Sequence, residues 1–418
     1  MTEAGQQPTG SVTPAPEPLE CRGFELVGYH DLGGHPGFKL AVQQREGRWL
    51  LYLGHLWRSG WSVLDVTDPT EPRLVRSWAG PGHTWTIQVQ VAEGRLVTGL
   101  EKPGPGWGVP ADAPYEEGVL VWDVATDPTD PRLLGGWRTG MTGTHRNFYA
   151  GGRYVYAAGG KAGHLGNLLR ILDIEDPSAP REVASWAVPE QVDSPGHPGL
   201  SQAYLHGPAY VQADRAFLAY GRAGLVVLDV HDVHTPRLVS RLSFGDLGGK
   251  VGTHSAVPVP GRDLLVVNSE AIEEGDRDPL NYAFLVDISD DAHPRVISSL
   301  PVPRPQPGLP YRSYYDKGGR FGPHNQHHPQ GNPAHLAPHD HVLMTYFNAG
   351  LRLFDITDAR EPVEVGCFVP ADPSERRGTL PTTLVTQLED VLVDARGYIY
   401  CTDKNHGLFV LRYPDGLR

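Results

Sequence analysis

Six segments of the chain share one pattern of apolar and polar positions. Each begins with an apolar run rich in Val, Leu and Ile, passes through an Asp- and Pro-rich turn, and ends in a second apolar stretch, as in GWSVLDVTDPTEPRLVRSW from residue 60. Branched apolar runs favour strands, and aspartate and proline favour the turn between them. Each copy therefore predicts two strands, and the copies are marked by their central aspartates, Asp65, Asp123, Asp173, Asp229, Asp287 and Asp355.

The spacing of the copies predicts a ring of blades. The aspartates are 58, 50, 56, 58 and 68 residues apart, and a shortened seventh copy, HGLFVLRYPDG, has Arg412 in place of the aspartate. Two more apolar segments joined by a tight turn lie between copies, as in 86–100. Four strands per unit at this period are typical of a β-propeller, and no unit shows the 3.6-residue period of a helical repeat. The segment 23–29, GFELVGY, looks like a missing outer strand, so we expect it to pair with the seventh copy.

The motif VLDVTDPTEPRLV and its five siblings resemble the repeat of the LVIVD-repeat β-propeller proteins, over almost the whole chain after residue 22. The expected fold is all-β, a seven-bladed β-propeller with four-stranded blades, closed by the N-terminal strand. We expect residues 1–22 to form a disordered tail and residues 23–418 to form a single propeller. This resemblance indicates a fold and leaves the function open, because propellers carry many chemistries.

Composition narrows the function classes. The 418 residues have a formal net charge of −13, which argues against a nucleic-acid binder because phosphate recognition needs a basic surface. Cys21, Cys367 and Cys401 form neither a disulfide framework nor a CxxC zinc motif. No apolar run approaches about 18 residues, and the N-terminus lacks the basic and apolar regions of a signal peptide. We expect a cytoplasmic protein with a small-molecule substrate and no membrane span.

Histidine recurs at one place in the units, where the chain passes from an outer strand to the next innermost strand. Seven units supply six histidines and one glutamate at this place, namely His35, His83, His145, His206, His254, His324 and Glu389. His324, in FGPHNQHHPQ, is therefore one of a recurring set, whereas His327 and His328 stay unassigned. Counting to the next hairpin turn places His35 and His83 further out, in the channel mouth.

Inner strands line the channel of a propeller, so imidazoles from separate blades can converge on one metal ion. The predicted metal ligands are His145, His206, His254 and His324. Because a ligating histidine usually needs a partner for its other ring nitrogen, four residues are candidates for a further ligand or such a partner, namely His83, Glu389, Glu101 and Glu270. The alternative is that histidine is a repeat residue that hydrogen-bonds the backbone at the channel mouth.

Long, dissimilar loops are predicted on the histidine face, where function usually lies on a rigid scaffold. These loops and the strand position beside His145 predict a substrate pocket, while the catalytic residues stay unassigned. The predicted pocket residues are Arg146, Trp107, Tyr311, Arg312, Tyr314 and Tyr315.

Three functions remain open. By its site, a four-histidine centre on a propeller axis resembles the carotenoid cleavage oxygenases, which hold iron, and the selenium-binding methanethiol oxidases, which hold copper. That resemblance implies a metal-dependent oxidoreductase, an oxygenase or oxidase with non-haem iron or else copper, and neutral ligands suit these metals better than Mg²⁺ or Ca²⁺. The site is also similar to that of the oligogalacturonate lyases, which implies a manganese-dependent lyase with Arg146 or Arg312 holding an acidic substrate. The third function is a non-enzymatic propeller that binds a partner through the long loops.

Overall fold

The computed structural model describes residues 14–57, 60–192, 203–275, 277, 278 and 280–418. Within these residues, β-strands predominate and the α-helix is confined to one turn, α1 (Tyr314–Lys317). Short 3-10 turns occur at Leu32–Gly34, Pro189–Gln191 and Gly221–Ala223. No helix of the described part is long and apolar enough to cross a membrane.

The strands follow one another along the chain at intervals that match the repeat. In chain order they are β1 (Pro18–Arg22), β2 (Glu25–His30), β3 (Gly37–Arg45), β4 (Arg48–His55), β5 (Gly60–Asp65), β6 (Arg73–Ala79), β7 (Val89–Ala92), β8 (Arg95–Leu100), β9 (Gly118–Asp123), β10 (Arg132–Trp137), β11 (Thr144–Phe148), β12 (Tyr154–Gly160), β13 (Asn167–Asp173), β14 (Arg181–Trp186), β15 (Tyr210–Gln212), β16 (Arg215–Ala219), β17 (Leu225–Asp229), β18 (Arg237–Leu242), β19 (Val251–Pro258), β20 (Leu264–Glu270), β21 (Ala283–Asp287), β22 (Arg295–Ser299), β23 (His341–Thr345), β24 (Leu351–Asp355), β25 (Val363–Pro370), β26 (Leu388–Val393), β27 (Tyr398–Asp403) and β28 (Gly407–Arg412).

The described strands form seven antiparallel sheets of four, which confirms the predicted seven-bladed β-propeller. Blades 1 to 5 each use four consecutive strands, from β3 to β22. Blade 6 joins β23, β24 and β25 to β1, and blade 7 joins β26, β27 and β28 to β2. The predicted closure is confirmed, because Glu25 and Leu26 of β2 pair with Arg412 and Leu411 of β28. Closure matters physically, since an open ring would leave two sheet edges exposed.

The N-terminal segment contributes more structure than predicted. Residues 18–22 fall in the predicted disordered tail, yet they form β1, which pairs with β25 at the outer edge of blade 6. The strand is held by backbone hydrogen bonds and by buried Glu20, whose carboxylate accepts a hydrogen bond from the Tyr314 hydroxyl. Residues 1–13 of the predicted tail lie outside the described residues.

Apolar residues on both faces of the second and third strands of a blade, such as β4 and β5, hold neighbouring blades together. In β4, Leu51 and Leu53 pack in a cluster with residues of blade 7, whereas Leu50 and Tyr52 pack in another with residues of blade 2. Burying such a side chain stabilises the fold by about 1.5–3 kcal/mol. This two-sided burial explains why the third strands read as continuous apolar runs rather than alternating ones.

The repeat aspartates close the turns as predicted. The Asp65 carboxylate accepts a hydrogen bond from the Thr67 backbone N–H at 3.0 Å and pairs with Arg48 at 2.9 Å. The corresponding bond recurs in the next copies, as from Ala125 to Asp123. An aspartate that caps its own backbone favours this turn over continuation of the strand.

Candidate metal centre in the central channel

Four predicted histidines lie side by side at the channel, one from each of blades 3 to 6. The ring centroids of His145 and His206 are 4.5 Å apart, those of His206 and His254 are 4.9 Å apart, and those of His254 and His324 are 4.9 Å apart. His254 and His324 are fully buried, while His145 and His206 keep a small exposed fraction. We call these four residues the histidine row.

Local irregularities of the inner strands turn these side chains to the channel. In β11, Thr144 and Arg146 pair with consecutive residues of β12, so His145 is an extra residue with no opposite residue in the strand pairing. Glu389 is the extra residue of β26 in the same way, and His254 lies within a similar shift of register in β19. A β-bulge bends a strand and re-aims a side chain, and bulges are frequent beside active sites.

Glu270 lies in the middle of the histidine row. It ends β20, and its Oε2 is 3.1 Å from His206 Nε2 and 3.7 Å from His254 Nε2, while its Oε1 is 3.6 Å from His324 Nε2. The ligand atoms of His206, His254 and Glu270 all lie within 4.8 Å of one another. Buried Oε2 has no aligned hydrogen-bond donor among the described residues. The structure therefore places Glu270 where a ligand would be, rather than behind one.

The Nδ1 atoms of three of the four histidines, His145, His254 and His324, are engaged by neighbours. Glu101, which follows β8, lies 2.8 Å from His145 Nδ1. Ser255 Oγ lies 2.7 Å from His254 Nδ1, and the Glu389 backbone oxygen lies 2.8 Å from His324 Nδ1. Such contacts fix the ring orientation and leave Nε2 directed at the centre of the row.

The protonation states of the buried histidines and of Glu270 suit metal binding. Burial, reinforced by His145, lowers the pKa of His206 to about 4, and burial holds the pKa values of His254 and His324 well below their usual range. Burial alone would raise the pKa of Glu270, but the adjacent histidines lower it well below its usual value. At neutral pH, His206, His254 and His324 are therefore neutral imidazoles and Glu270 is an ionised carboxylate, which are the forms that bind metals.

Three cations adjoin the row. Arg146 Nη2 donates hydrogen bonds to Nε2 of His254 at 3.1 Å and of His324 at 3.4 Å. Arg320 Nη1 lies 3.0 Å from Glu270 Oε1, and Lys404 Nζ lies 2.8 Å from an oxygen of Glu389, a fully buried residue behind His324. Sequence reasoning named Arg146 and missed the other two. The sequence contains a weak indication of Arg320, since it precedes His324 by four residues. It contains no indication of Lys404, because that residue lies in a turn.

His83 does not join the row. It is exposed, with a φ of 55°, and the chain reaches the inner strand of blade 2 only after it, through buried Thr86 and Gln88. Blade 1 presents Phe38 to the channel, with its ring 6.1 Å from that of His324. His35 instead stacks on buried His55 at 4.7 Å.

Besides Arg146, one further predicted pocket residue, Trp107, lies near the row. Trp107 packs against Trp57 and Trp85 at ring distances of 5.8 and 4.9 Å, and Lys404 Nζ lies 5.3 Å from its ring centre. This aromatic cluster covers the Lys404 end of the site.

The remaining four predicted pocket residues lie elsewhere. Tyr314 is fully buried in the core of blades 5 and 6, and Tyr311 and Tyr315 pack against the same core. Arg312 is exposed. The loop that carries them folds back onto apolar residues such as Phe321, which is 4.7 Å from Tyr315, because aromatic rings gain more from core burial than from lining a channel.

Comparisons with known proteins support the fold. The model of the LVIVD repeat matches residues 143–188, which hold the four strands of blade 3. Three solved structures are similar to this chain over nearly their whole lengths. These are the WD40 repeats of RRP9 (11% identity, 97% of this chain and 99% of the other, TM-score 0.57), U3-55K (10%, 95% and 100%, 0.58) and PpgL, the periplasmic gluconolactonase of Pseudomonas aeruginosa (11%, 87% and 99%, 0.56). At such identities the likeness concerns the fold alone. No curated protein matches the chain in sequence.

Proposed function

We propose that this LVIVD-repeat propeller is a metal-dependent oxidoreductase that binds non-haem iron in its channel and acts on a small organic substrate. One observation carries the proposal: His206, His254 and Glu270 bring two imidazoles and one carboxylate within 4.8 Å of one another. This is the ligand set of the two-histidine, one-carboxylate iron centres, which keep positions open for substrate and dioxygen. His145 and His324 flank this set and are available as further ligands.

The surroundings fit such a metal. The ligand imidazoles are neutral, and Glu270 keeps a buried oxygen without an aligned donor. Bound iron supplies redox chemistry with dioxygen. The chain itself orients His145 through Glu101 and covers one end of the site with Trp57 and Trp107, which limits the access of water. Copper is the second choice of metal.

A metal-dependent lyase is the second candidate, and one observation favours it. Arg146, Arg320 and Lys404 place three cations beside the site, as an enzyme for an acidic substrate would need. Manganese would then polarise the substrate while a base removes a proton.

Elemental analysis tests both candidates. Untagged protein purified without chelators is compared with the His206→Ala/His254→Ala double variant, and the exposed histidine variant His83→Ala serves as the matched control. We expect about one iron per chain in the wild type and the control, and little in the double variant, because each lost ligand weakens binding strongly. Copper would support the oxidoreductase and manganese the lyase. An absence of stoichiometric metal would overturn both and leave a propeller that binds a partner.

A further inference from the structure

Arg146 differs from the other buried cations. Its guanidinium contacts the amide oxygen of Asn325, the imidazoles of His254 and His324 and the ring of Phe38, none of which is an anion. Among the described residues, the other buried Lys and Arg side chains each form an ion pair with a carboxylate; these pairs are Lys39–Asp390, Arg170–Glu182, Lys317–Asp372, Arg320–Glu270, Arg352–Glu364 and Lys404–Glu389. A buried guanidinium stays charged, and burying that charge without a neighbouring anion costs free energy. An anion is therefore expected to bind beside Arg146.

An unsatisfied donor accompanies this missing anion. Arg146 Nε is buried without a hydrogen-bond partner among the described residues. Buried polar groups in native proteins are nearly always satisfied, by water or ligand if not by protein.

We propose that Arg146 binds the carboxylate of the substrate, so that the substrate is a small organic acid; this inference rests on the proposed function and names its substrate class. A guanidinium holds a carboxylate through two parallel hydrogen bonds, which matches its fork of donors. A carboxylate at Arg146 takes over hydrogens that Nη2 now gives to His254 and His324. Both Nε2 atoms then become available to a metal, so the anion and the metal strengthen each other's binding.

A metal-free experiment isolates the anion site. Chelator-treated full-length protein is melted in chloride-free, low-salt buffer with increasing acetate or with acetamide, its uncharged analogue. We expect acetate, and not acetamide, to raise the Tm saturably by a few degrees. Arg146→Gln should lose this rise, and Arg237→Gln, at an exposed arginine of β18, should keep it. An equal response to acetate and acetamide, or a rise that survives in Arg146→Gln, would overturn the proposal. If Arg146→Gln fails to fold, Arg146→Lys replaces it and should need at least tenfold more acetate.

A second variant separates this proposal from the metal. His206→Ala removes a proposed ligand that does not contact Arg146, so it should lose metal and keep the acetate response. In the wild type, acetate should lower the apparent Kd for Fe²⁺ several-fold, and in Arg146→Gln it should not. In the wild type, stoichiometric metal without an acetate response would reject the substrate class alone. An acetate response in a wild type that binds no metal would reject the metal centre alone.

Discussion

The histidine row and a second histidine group, His327, His328 and His335, differ in what their ring nitrogens contact. In the row, Nε2 of His145 and of His206 lie 3.2 Å apart and Glu270 stands among them. In the second group, the nitrogens of His327 lie 3.1 Å from the Val393 N–H and 2.7 Å from the Leu336 carbonyl oxygen. His328 likewise accepts a hydrogen bond from the Gln330 N–H at 3.0 Å.

Burial does not distinguish the two sets. Burial lowers the pKa of His327 to about 3 and that of His335 to about 4, and it lowers the pKa values of His206, His254 and His324 as well. The difference lies in the partners, because backbone groups occupy the nitrogens of His327, whereas those of the row face one another and a carboxylate. A histidine-rich segment such as FGPHNQHHPQ therefore contains both a candidate ligand, His324, and a structural residue, His327.

The largest contrast is expected in metal binding. His254→Ala should weaken metal affinity at least 100-fold. The free energy of metal binding at a four-ligand site is about 10–16 kcal/mol, and each ligand contributes a few kcal/mol of it. His328→Gln should leave the affinity unchanged. Titration of chelator-treated protein with Fe²⁺ under anaerobic conditions measures both. Equal losses in the two variants would remove the distinction between the two sets.

Stability should show the opposite contrast. His327→Ala leaves the buried Val393 N–H and Leu336 carbonyl without partners, so the free energy of unfolding should fall by about 2–3 kcal/mol. His145→Ala, measured without metal, should cost less, because its Nε2 contacts only another imidazole and its other partner, the Glu101 carboxylate, keeps access to water. Urea unfolding of both variants provides the comparison, and a greater loss in His145→Ala would contradict it.

A residue behind the row should have a graded effect. Glu101→Gln keeps the size of the side chain but weakens its contact with His145 Nδ1, so metal affinity should fall about 10–100-fold with the fold intact. Glu93→Gln, at a loop glutamate that binds the Gly152 N–H, is the matched control and should have no effect on affinity. A normal affinity in Glu101→Gln would show that His145 is not a ligand.

Per pH unit, the smallest effect is a pH dependence of stability. The usual histidine pKa is 6.5, and that of His327 is about 3, so the unfolded chain takes up a proton in this window that the folded chain does not. The free energy of unfolding therefore falls as pH drops from about 6.5 towards 3, by about 1.4 kcal/mol per pH unit for each such histidine. In metal-free protein, His327→Asn should have a shallower slope by about one proton. An unchanged slope would show that His327 does not titrate in this way.

Most of the fold followed from the sequence because its signals are local and repeated. The Asp–Pro turns, the apolar runs and the closing segment 23–29 each have a pattern that backbone chemistry explains. β1 was missed because PLECR is short and lies in a polar, proline-rich stretch. The pairing of β1 depends on the free edge of β25, which no local sequence pattern predicts.

The site was only partly predictable. The histidine row followed from its place in the repeat, but simple alternation along a strand could not show that bulges turn His145 and Glu389 to the channel. The central place of Glu270 depends on how three blades converge. His83 lies outside the row because the chain of blade 2 takes extra residues before it enters the inner strand, as the longer count to its hairpin turn had indicated.

Ring closure by β2 also sets the order in which the protein can assemble during synthesis. Glu25 of β2 pairs with Arg412 of β28, so one of the first two strands made waits for the last described strand. At about 5–20 residues per second, its partner leaves the ribosome on the order of 20 to 80 s later. Throughout that interval the unpaired edges of the growing array can join other nascent chains. Slow final docking, rather than formation of single blades, should therefore limit the yield of active protein, and chaperones that shield strand edges should raise it.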